Sequence, residues 1–374
     1  MKFVLTTIAW VESIAKKEIE KQWWIIEETI DRLITFSGWI ELMPRVNLWS
    51  RVGNKLYLHL AEKDNVKDFD TLFDLVSSIN WKKYFKKDYP IVVNTSCTRS
   101  ELFAERTIQS IWKKAIVKNL VWENYLVKED EKLEKLEILI LIIDNKARIL
   151  LNTSWNALHM RWYRTQAWEA PIKESLAAAM VLLSDWRFKD SFYDPFCGSG
   201  TIAIEALMIA KNIAPWLKRW FAYEKLWLID FETSENERAL ARTKTYDQNY
   251  RIFASDISPE MIELAKENAT RAWLAGQINF EVKDFRTFLT PHADWGGMRG
   301  SLVSNPPYWE RLKDENLKSM YNSIDKIFRT NPELWWGIIS SFMEFDDLIK
   351  KDDYKKRKLY NGWEKCYFWK KIKK

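Results

Sequence analysis

The spacing of hydrophobic and polar residues changes near residue 155 and divides the chain into two parts. In the first part, the apolar spacing predicts strands at residues 1–7, 35–42, 55–60, 90–97, 136–144 and 147–153. It predicts helices at residues 11–22, 69–79 and 104–120. Helices and strands do not alternate regularly here, so the first part is predicted to be a mixed α+β unit.

From residue 171 onward, helical and strand patterns alternate. Helices are predicted at residues 172–183, 201–210, 259–272 and 317–328, and strands at 191–194, 251–255, 278–282, 300–304 and 337–340. This alternation is typical of a doubly wound, mostly parallel α/β sheet. Two final strands flank Asn361-Gly362 and predict an antiparallel hairpin. The polar stretch 211–250 is interpreted as an insertion.

The composition is that of an ordinary globular protein with room for two domains. Of 374 residues, 47% are hydrophobic and 29% charged. No apolar run is long enough to span a bilayer, and the first residues do not resemble a secretory signal, so a cytoplasmic location is expected. Cys97, Cys197 and Cys366 are far apart in sequence, and the three histidines are scattered. We therefore expect neither a disulfide framework nor a metal site.

The basic residues occur in clusters, several of them mixed with aromatic residues. The formal net charge is +6, and clusters lie at residues 81–87, Lys113-Lys114, Arg161 with Arg164, and residues 355–358. Such mixing suits phosphate contact combined with base stacking. Each cluster taken alone is better explained as a solvated surface, so the charge permits nucleic-acid binding without requiring it.

Tryptophan is unusually common and glycine unusually rare. The chain has 22 Trp and 10 Gly, although glycine normally makes up about 7% of residues. Several Trp stand where glycine is expected, including Trp155, Trp216 after a proline, and Trp363 after Asn361-Gly362. Our hypothesis is that many of these codons are UGA, which is read as Trp in some genetic codes and as Gly in others.

One stretch combines a short strand, a tight turn and a helix. The turn is Asp194-Pro195-Phe196-Cys197-Gly198-Ser199-Gly200, and the helix opens at Thr201. Free N–H groups at a helix start, with glycines that permit close approach, predict a ligand site. The turn lacks the Lys-Ser/Thr pair of a phosphate loop, and Asp194 would repel a pyrophosphate. The expected ligand is cationic, or at least not a polyphosphate.

Two further acids follow predicted strands, at the edge where ligands of such sheets bind. Asp256 precedes Ile257 and could accept hydrogen bonds from both hydroxyls of a ribose. Asp284 could accept a hydrogen bond from an adenine amine while Phe285 packs on the ring. Each aspartate alone could also be a helix cap, but their recurrence at successive strand ends favours a cofactor site.

Asn305-Pro306-Pro307-Tyr308 is the strongest single motif. Two prolines hold the backbone extended and rigid. The Asn305 side-chain oxygen and the Pro306 carbonyl can each accept one N–H of an exocyclic amine, which orients its lone pair toward an electrophile. Tyr308 can stack on the base. The alternative is a proline turn carrying a surface tyrosine, but the apolar strand Ser301-Leu302-Val303-Ser304 directly before the motif argues against it.

These motifs resemble those of class I S-adenosylmethionine-dependent amino methyltransferases. Over nearly the whole chain, the sequence is similar to THUMP-domain RNA methyltransferases related to the 23S rRNA guanine-N2 methyltransferase, a group also labelled N6-adenine-specific DNA methylases. The similarity is carried further by Arg161-Trp162-Tyr163-Arg164, Glu169-Ala170-Pro171-Ile172-Lys173-Glu174, Ile213-Ala214-Pro215-Trp216, Leu359-Tyr360-Asn361-Gly362 and, more loosely, Thr98-Arg99-Ser100-Glu101-Leu102.

The resemblance implies a domain order and a reaction. It implies a ferredoxin-like segment at 1–60, a THUMP RNA-binding domain at 61–155, a linker at 156–170 and a Rossmann-like methyltransferase domain at 171–374. The implied reaction is methyl transfer from S-adenosylmethionine to a base amine of structured RNA, most simply guanine N2 of 23S rRNA. An N6-adenine DNA methyltransferase and a noncatalytic RNA-binding protein are the alternatives.

The resemblance also implies roles for individual residues. The catalytic group would be Asn305, Pro306, Pro307 and Tyr308. Cofactor contacts would come from Asp194, Pro195, Phe196, Cys197, Gly198, Ser199, Gly200, Thr201, Asp256, Ile257, Asp284 and Phe285. RNA contacts would come from Arg99, Lys113, Lys114, Arg161 and Arg164.

The departures from the family concern tryptophan. The family has glycine where this chain has Trp162, Trp216 and Trp309, whereas Trp81 and Trp186 occupy positions that tolerate Trp. A true indole at Trp309 would crowd the pocket for the target base. The departures therefore support the codon hypothesis.

Overall fold

The computed structural model describes residues 1–22, 24–84, 90–120, 135–164, 172–226, 228–289, 299–307, 314–349, 354–362 and 364–372. The chain forms two compact units. Unit 1 contains Met1–Thr7, Ala15–Leu158 and Trp216–Ala241. Unit 2 contains Ile8–Ile14, His159–Pro215 and Arg242–Lys374.

Unit 1 contains a mixed sheet with helices. Its strands are β1 (Lys2–Thr7), β2 (Ile25–Ile30), β3 (Leu33–Ser37), β4 (Gly53–Lys63), β5 (Ile91–Thr98), β6 (Leu136–Ile143) and β7 (Lys146–Asn152). The helices are α1 (Glu12–Glu20), whose first residues fall in unit 2, α2 (Met43–Trp49), α3 (Phe69–Ser77) and α4 (Glu105–Leu120). The strand order is β2-β3-β1-β4-β7-β6-β5. Strands β5 and β6 pair parallel and the other neighbours antiparallel, which confirms the α+β prediction.

Unit 2 is organised around a second sheet. Its strands are β8 (Ser191–Asp194), β9 (Ile252–Asp256), β10 (Asn279–Val282), β11 (Gly300–Ser304), β12 (Leu334–Ser340), β13 (Tyr354–Asn361) and β14 (Glu364–Lys371). The α-helices that follow α4 among the described residues are α5 (Glu174–Leu183), α6 (Thr201–Ala210), α7 (Phe231–Thr243), α8 (Pro259–Arg271), α9 (Asp314–Thr330) and α10 (Phe345–Leu348). Most of α7 falls in unit 1.

The second sheet has the order β10-β9-β8-β11-β12-β14-β13. The first five strands are parallel, while β14 runs antiparallel to both β12 and β13. This confirms the predicted doubly wound sheet with its terminal hairpin. From β8 the chain first builds outward through β9 and β10, then returns to the other side of β8 to place β11. The order therefore reverses between β8 and β11, and such reversal points are where these sheets bind ligands.

Burial explains why the helices of unit 2 form where they do. Helix α6 is rich in Ala, Ile and Leu and every residue of it is buried, so it is an internal helix. Helix α9 instead has one apolar stripe, in which Leu317, Tyr321, Ile324 and Phe328 recur at helical spacing and are all buried. The Phe328 ring stacks on Trp336 of β12 at a centroid distance of 4.3 Å. The stripe thus fixes α9 against the sheet.

The segment Trp216–Ala241 packs in unit 1, although it lies between α6 and β9 in sequence. Trp216 is buried and its Nε1 donates to the carbonyl of Ser50 at 3.3 Å. The Tyr223 amide donates to the carbonyl of Thr153 at 3.1 Å. Arg45 forms a two-pronged ion pair with Glu237, with N–O distances of 2.6 and 2.9 Å. The polar sequence of this stretch predicts an insertion, but it predicts neither α7 nor the packing of the segment.

Three tryptophans adopt a left-handed backbone that favours glycine. Trp10, Trp155 and Trp273 have φ values of 73°, 64° and 59°. Trp273 follows the C-cap of α8, where its amide donates to the Thr270 carbonyl and the Leu274 amide to the Ala269 carbonyl. These two bonds define a Schellman motif, whose left-handed position is usually glycine. A large aromatic residue is strained there.

Candidate active site

The turn between β8 and α6 depends on its two glycines for different reasons. Gly198 has φ 50° and Gly200 has φ 80°, and the Gly200 amide donates to the Cys197 carbonyl at 2.8 Å. A Cβ at Gly200 would lie 3.0 Å from the Ala265 Cβ, so this glycine permits close packing. A Cβ at Gly198 would meet nothing within 4 Å. Gly198 therefore faces open space in which a ligand can lie against the backbone.

Asp194 ends β8 as a buried acid with one unused oxygen. Its Oδ1 accepts a hydrogen bond from Ser304 Oγ at 2.5 Å. Its Oδ2 is buried without a hydrogen-bond partner among the described residues. Burial and, to a smaller extent, the negative charge of Asp256 raise the pKa of Asp194 to about 7, although the hydrogen bonds to this carboxylate lower it. A buried acceptor without a partner is costly, so Oδ2 suits a positively charged ligand.

Asp256 ends β9 and holds the turn in place. Its Oδ2 accepts from the Gly198 amide at 2.9 Å, and its Oδ1 accepts from the Ser258 amide at 3.0 Å. Ser258 in turn caps α8 by accepting from the Met261 amide at 3.2 Å. The neighbouring Ile257 side chain is 70% exposed, so it presents an apolar surface at this strand end. Asp256 thus combines a structural role with remaining acceptor capacity for hydroxyl groups.

Asp284 lies two residues beyond β10 and is already partly engaged. Its Oδ1 accepts from the Arg286 amide at 2.9 Å and its Oδ2 from Arg286 Nη1 at 3.1 Å. Phe285 is buried, and its ring lies 4.6 Å from that of Phe196, centroid to centroid. These two rings join the end of β10 to the turn after β8.

Asn305 follows β11, next to the strand that carries Asp194. Its side-chain Oδ1 is buried without a partner among the described residues. Pro306 is buried and Pro307 half-buried. The preceding Ser304 links the two strand ends, because its Oγ donates to Asp194 and accepts from the Phe196 amide at 3.2 Å. Tyr308 and Trp309 lie outside the described residues.

The other predicted turn residues support the loop. Pro195 and Phe196 continue from Asp194, and Cys197 is buried, which raises the pKa of its thiol well above the usual value. Ser199 Oγ and Thr201 Oγ1 lie 3.3 Å apart, and the Ser199 carbonyl accepts from Asn268 Nδ2 at 3.0 Å. Nothing here marks Cys197 as a nucleophile, since a raised pKa keeps a thiol protonated.

Arg161 is not placed to contact RNA. Its side chain is fully buried and forms an ion pair with Glu205 of α6, itself fully buried, at 3.1 Å. Tyr163 Oη donates to the same carboxylate at 3.0 Å. The prediction that Arg161 contacts phosphate is therefore wrong: the sequence marks the charge but not its long-range partner.

The other basic residues of the prediction have different surroundings. Arg164 is 19% exposed, pairs with Glu174 and donates to the Ile172 carbonyl, so it too is largely engaged. Arg99 is 67% exposed and forms a two-pronged pair with Asp144, with both N–O distances 2.7 Å. Lys113 and Lys114 lie on α4, but their side chains fall outside the described set. Arg99 thus remains accessible, whereas Arg164 is held within its own unit.

Ser304, Asn268 and Glu205 also support the site, although no sequence motif identifies them. Ser304 was visible only as a polar residue ending an apolar strand, and Asn268 only as one polar residue of an amphipathic helix. Glu205 carried the clearest signal, because a single acid in an otherwise apolar helix requires a partner.

The described residues provide neither a metal-ligand cluster nor a helix suited to cross a membrane. No group of three or more His, Cys, Asp or Glu in this part of the chain could hold a metal ion. Of the helices built from described residues, none is both long enough and apolar enough to cross a membrane.

Two family models match the sequence. One, described as an RMKL-like methyltransferase domain, matches residues 161–370, and the other, the THUMP domain, matches residues 66–152.

Relatives match over nearly the full chain. The Bacillus subtilis (strain 168) protein YpsC, which has a provisional RNA methyltransferase name, is 35% identical over 97% of this chain and 94% of its own. The ribosomal RNA large subunit methyltransferase K/L of Pseudoalteromonas atlantica is 31% identical, over 98% of this chain and 52% of its own. The crystal structure of SMU.472, described as a methyltransferase complexed with SAH, has a TM-score of 0.89 at 31% identity. That alignment covers 100% of this chain and 98% of the other.

Proposed function

Because the chain belongs to the RMKL-like methyltransferase family and carries a THUMP domain, we propose that it methylates a guanine of ribosomal RNA at N2. The observation that carries this proposal is the pair of buried oxygens without partners, Asp194 Oδ2 and Asn305 Oδ1. They belong to the ends of neighbouring parallel strands, at the reversal point of the sheet. One suits a cation and the other an N–H donor.

The cofactor of the reaction is S-adenosylmethionine, which supplies an electrophilic methyl group on a positively charged sulfur. The residues present fit this molecule. Asp194 Oδ2 offers an unpaired acceptor for its cationic portion, and Gly198 leaves room beside the backbone. Asp256 accepts the ribose hydroxyls, with Ile257 beside the ring system. Asp284 and Phe285 complete the adenine side, and Pro195 to Thr201 shape the loop.

The target amine is held by Asn305 and the Pro306 carbonyl. Each accepts one N–H of the amine, so the nitrogen lone pair points toward the methyl group. Positioning of this kind supplies much of the rate enhancement in a direct transfer. Pro307 keeps the backbone rigid, and Tyr308 stacks on the base, which must leave its helix to enter the site.

The first part of the chain holds the RNA. The proposed division along the sequence is the ferredoxin-like segment 1–60, the THUMP domain 61–155, the linker 156–170 and the methyltransferase domain 171–374. Within the last of these, Trp216–Ala241 packs in unit 1. RNA helices expose little sequence information in their deep groove, so this part binds through phosphates and shape. Arg99, Lys113 and Lys114 provide phosphate contacts. Ribosomal RNA is a cytoplasmic substrate, so the reaction takes place in the cytoplasm.

The test is direct analysis of methylated nucleosides. Purified enzyme is incubated with isotopically labelled S-adenosylmethionine and separate pools of unmodified rRNA, tRNA and duplex DNA. Each pool is then digested to nucleosides for mass spectrometry. The expected product is labelled N2-methylguanosine in the 23S rRNA fraction.

Other outcomes identify the alternatives. Label in N6-methyladenine from the DNA pool would show that the target is adenine N6 in DNA and not guanine N2 in RNA. An absence of label in all pools, combined with no cofactor binding in calorimetry, would leave a noncatalytic RNA-binding protein.

A further inference from the structure

The terminal hairpin of unit 2 carries an alternation of lysines and aromatic rings on one face. Cross-strand pairs of β13 and β14 join Tyr354 to Lys371, Lys356 to Trp369, Lys358 to Tyr367, and Tyr360 to Lys365. Because side chains alternate between the faces of a strand, all eight share one face. Every pair contains one lysine and one aromatic residue.

The half of this face nearest the turn is partly exposed and positively charged. We call Lys358, Tyr360, Lys365 and Tyr367 the hairpin ladder. Among the described residues, acids pair with Lys356 and Lys370 of the hairpin but with neither Lys358 nor Lys365. The only acid in the sequences of the two strands, Glu364, pairs with Asn361 on the opposite face.

The lysines and rings of the ladder interact closely. Lys358 Nζ lies 5.2 Å from the centroid of Tyr360, and Lys365 Nζ lies 5.2 Å from that of Tyr367. A hydrogen bond from Lys365, together with the positive charge of Lys365, Lys356 and Lys358, lowers the pKa of Tyr367. Lys365 itself is exposed. The local potential is therefore positive around rings that remain partly accessible.

The ladder lies at the carboxyl ends of the parallel strands, as the candidate active site does. Ser304 is level with Ile338 in β12, and Ser340, two residues further, is level with Tyr367 in β14. Tyr367 is thus level with the position of Pro306, and Lys365 extends beyond it. Strands β14 and β13 are two and three places from β11, or about 10 and 14 Å at the usual spacing.

We propose that the hairpin ladder binds the single-stranded RNA that flanks the target nucleotide. Lys358 and Lys365 contact its phosphates, while Tyr360 and Tyr367 stack on its bases, the combination found in sequence-tolerant single-strand binding. The distance from β11 suits nucleotides close to the extruded base. This inference rests on the proposed RNA methylation and adds a binding surface within unit 2.

The test measures RNA affinity of the full chain by fluorescence anisotropy with a short labelled single-stranded RNA. The ladder variant is Lys358→Gln with Lys365→Gln. The matched control is Lys355→Gln with Lys189→Gln, which removes the same charge from two exposed lysines. Lys355 lies on the opposite face of β13. Lys189 precedes β8, so it lies at the amino ends of the parallel strands, away from the candidate site.

We expect the ladder variant to bind roughly tenfold or more weakly than the control variant. The slope of log affinity against log salt should fall by about 0.7 for each lost phosphate contact, hence by about 1.4. Tyr360→Ala should weaken binding roughly fivefold because a stacking partner is lost. Affinity for S-adenosylhomocysteine should stay unchanged in all variants.

Equal RNA affinity and salt slope in the ladder and control variants would overturn the inference, even if the parent methylates RNA. A parent that neither binds nor methylates RNA would overturn the proposed function, and this inference with it. The two failures are distinguished by labelling of the parent's RNA substrate.

Discussion

If Asp194 contacts the cationic cofactor as proposed, cofactor binding should depend on pH. Its buried carboxyl has a pKa raised to about 7, so it is neutral below that pH and negative above it. Affinity for S-adenosylhomocysteine, whose ammonium group is cationic, should therefore increase as pH rises toward 7 and level off above it. Below pH 7, binding should release a proton. Calorimetry in buffers of different ionisation enthalpy measures both effects, and Asp194→Asn should abolish them.

The stability of the protein without cofactor depends on pH in the opposite direction to cofactor affinity. Between about pH 4 and pH 7 the folded state keeps a proton on Asp194 that the unfolded state has lost. This group therefore contributes stability that falls as pH rises through that window.

The affinity prediction fails if the parent protein binds S-adenosylhomocysteine equally well from pH 6 to pH 8, about one pKa unit on either side of 7. That result would contradict the role proposed for Asp194.

Asn305 offers a test of turnover separate from cofactor binding. Asn305→Ala removes the acceptor that we propose positions the amine, so kcat should fall about a hundredfold or more. Affinity for S-adenosylhomocysteine should change less than about twofold, because no cofactor contact is lost. Asn279→Ala, at an exposed position of β10, is the control. Parental turnover by Asn305→Ala would exclude the assignment.

Trp273 tests whether some tryptophans replace glycine. Its left-handed backbone costs an ordinary residue about 1–2 kcal/mol. Trp273→Gly relieves this strain, but glycine loses more conformational entropy on folding. The free energy of unfolding should therefore rise by about 0.5–1 kcal/mol. Trp39 is 78% exposed with an ordinary φ of −77°, so Trp39→Gly should be neutral or destabilising. Denaturant titration measures both.

The codons give an independent check of the same hypothesis. UGA should encode Trp10, Trp155 and Trp273, whereas UGG at all three positions would exclude recoding there. Trp216 and Trp162 are not among the residues with positive φ, so at those positions the backbone gives no separate support.

At the scale of elements, the buried pair of Arg161 and Glu205 attaches the segment before α5 to α6. Arg161→Ala leaves the buried Glu205 carboxylate without its cationic partner and should lower the free energy of unfolding by about 3–5 kcal/mol. The double variant Arg161→Met with Glu205→Leu should recover most of this loss, because both charges of the pair are removed. Thermal and denaturant unfolding measure both variants.

RNA affinity distinguishes this structural role from the contact that the sequence suggested. Under conditions in which it is folded, the double variant should bind RNA as the parent does. A large loss of RNA affinity with intact folding would show that Arg161 has a second role.

How far the sequence predicts these elements depends on how local the determinants are. The bounds of β8, α6 and β11 agree with the sequence prediction, because each is a short apolar run closed by a polar or glycine-rich turn. Helix α7 was missed because its pattern is polar, with three buried residues among thirteen. Strand β2 alternates exposed and half-buried residues and has no fully buried face to give a signal.

The same distinction applies to the candidate site. Asp194, Asp256, Asp284 and Asn305 were placed correctly at strand ends, because strand ends can be read from local sequence. The pairing of Ser304 with Asp194 and of Arg161 with Glu205 joins residues far apart in sequence. Such partners depend on sheet order and helix packing, which no local pattern contains.

At the scale of the whole molecule, unit 1 is not a continuous stretch of chain. A fragment of residues 1–158 lacks Trp216–Ala241, and with it the buried Trp216, Phe221 and Tyr223. We expect this fragment to unfold at a lower denaturant concentration than unit 1 in the full chain, or to aggregate, because apolar surface is left uncovered. Circular dichroism and amide hydrogen exchange measure the difference. A fragment as stable as unit 1 in the full chain would show that the segment is dispensable.

The interrupted course of unit 1 also affects how the protein folds during synthesis. Its sheet strands have all been made by residue 152, but its last packing segment ends at Ala241. The ribosome adds the residues from 158 to 241 in roughly 4–17 s at the usual elongation rate. Throughout that interval the nascent unit has an uncovered apolar surface, which makes it a natural client for chaperones that bind growing chains.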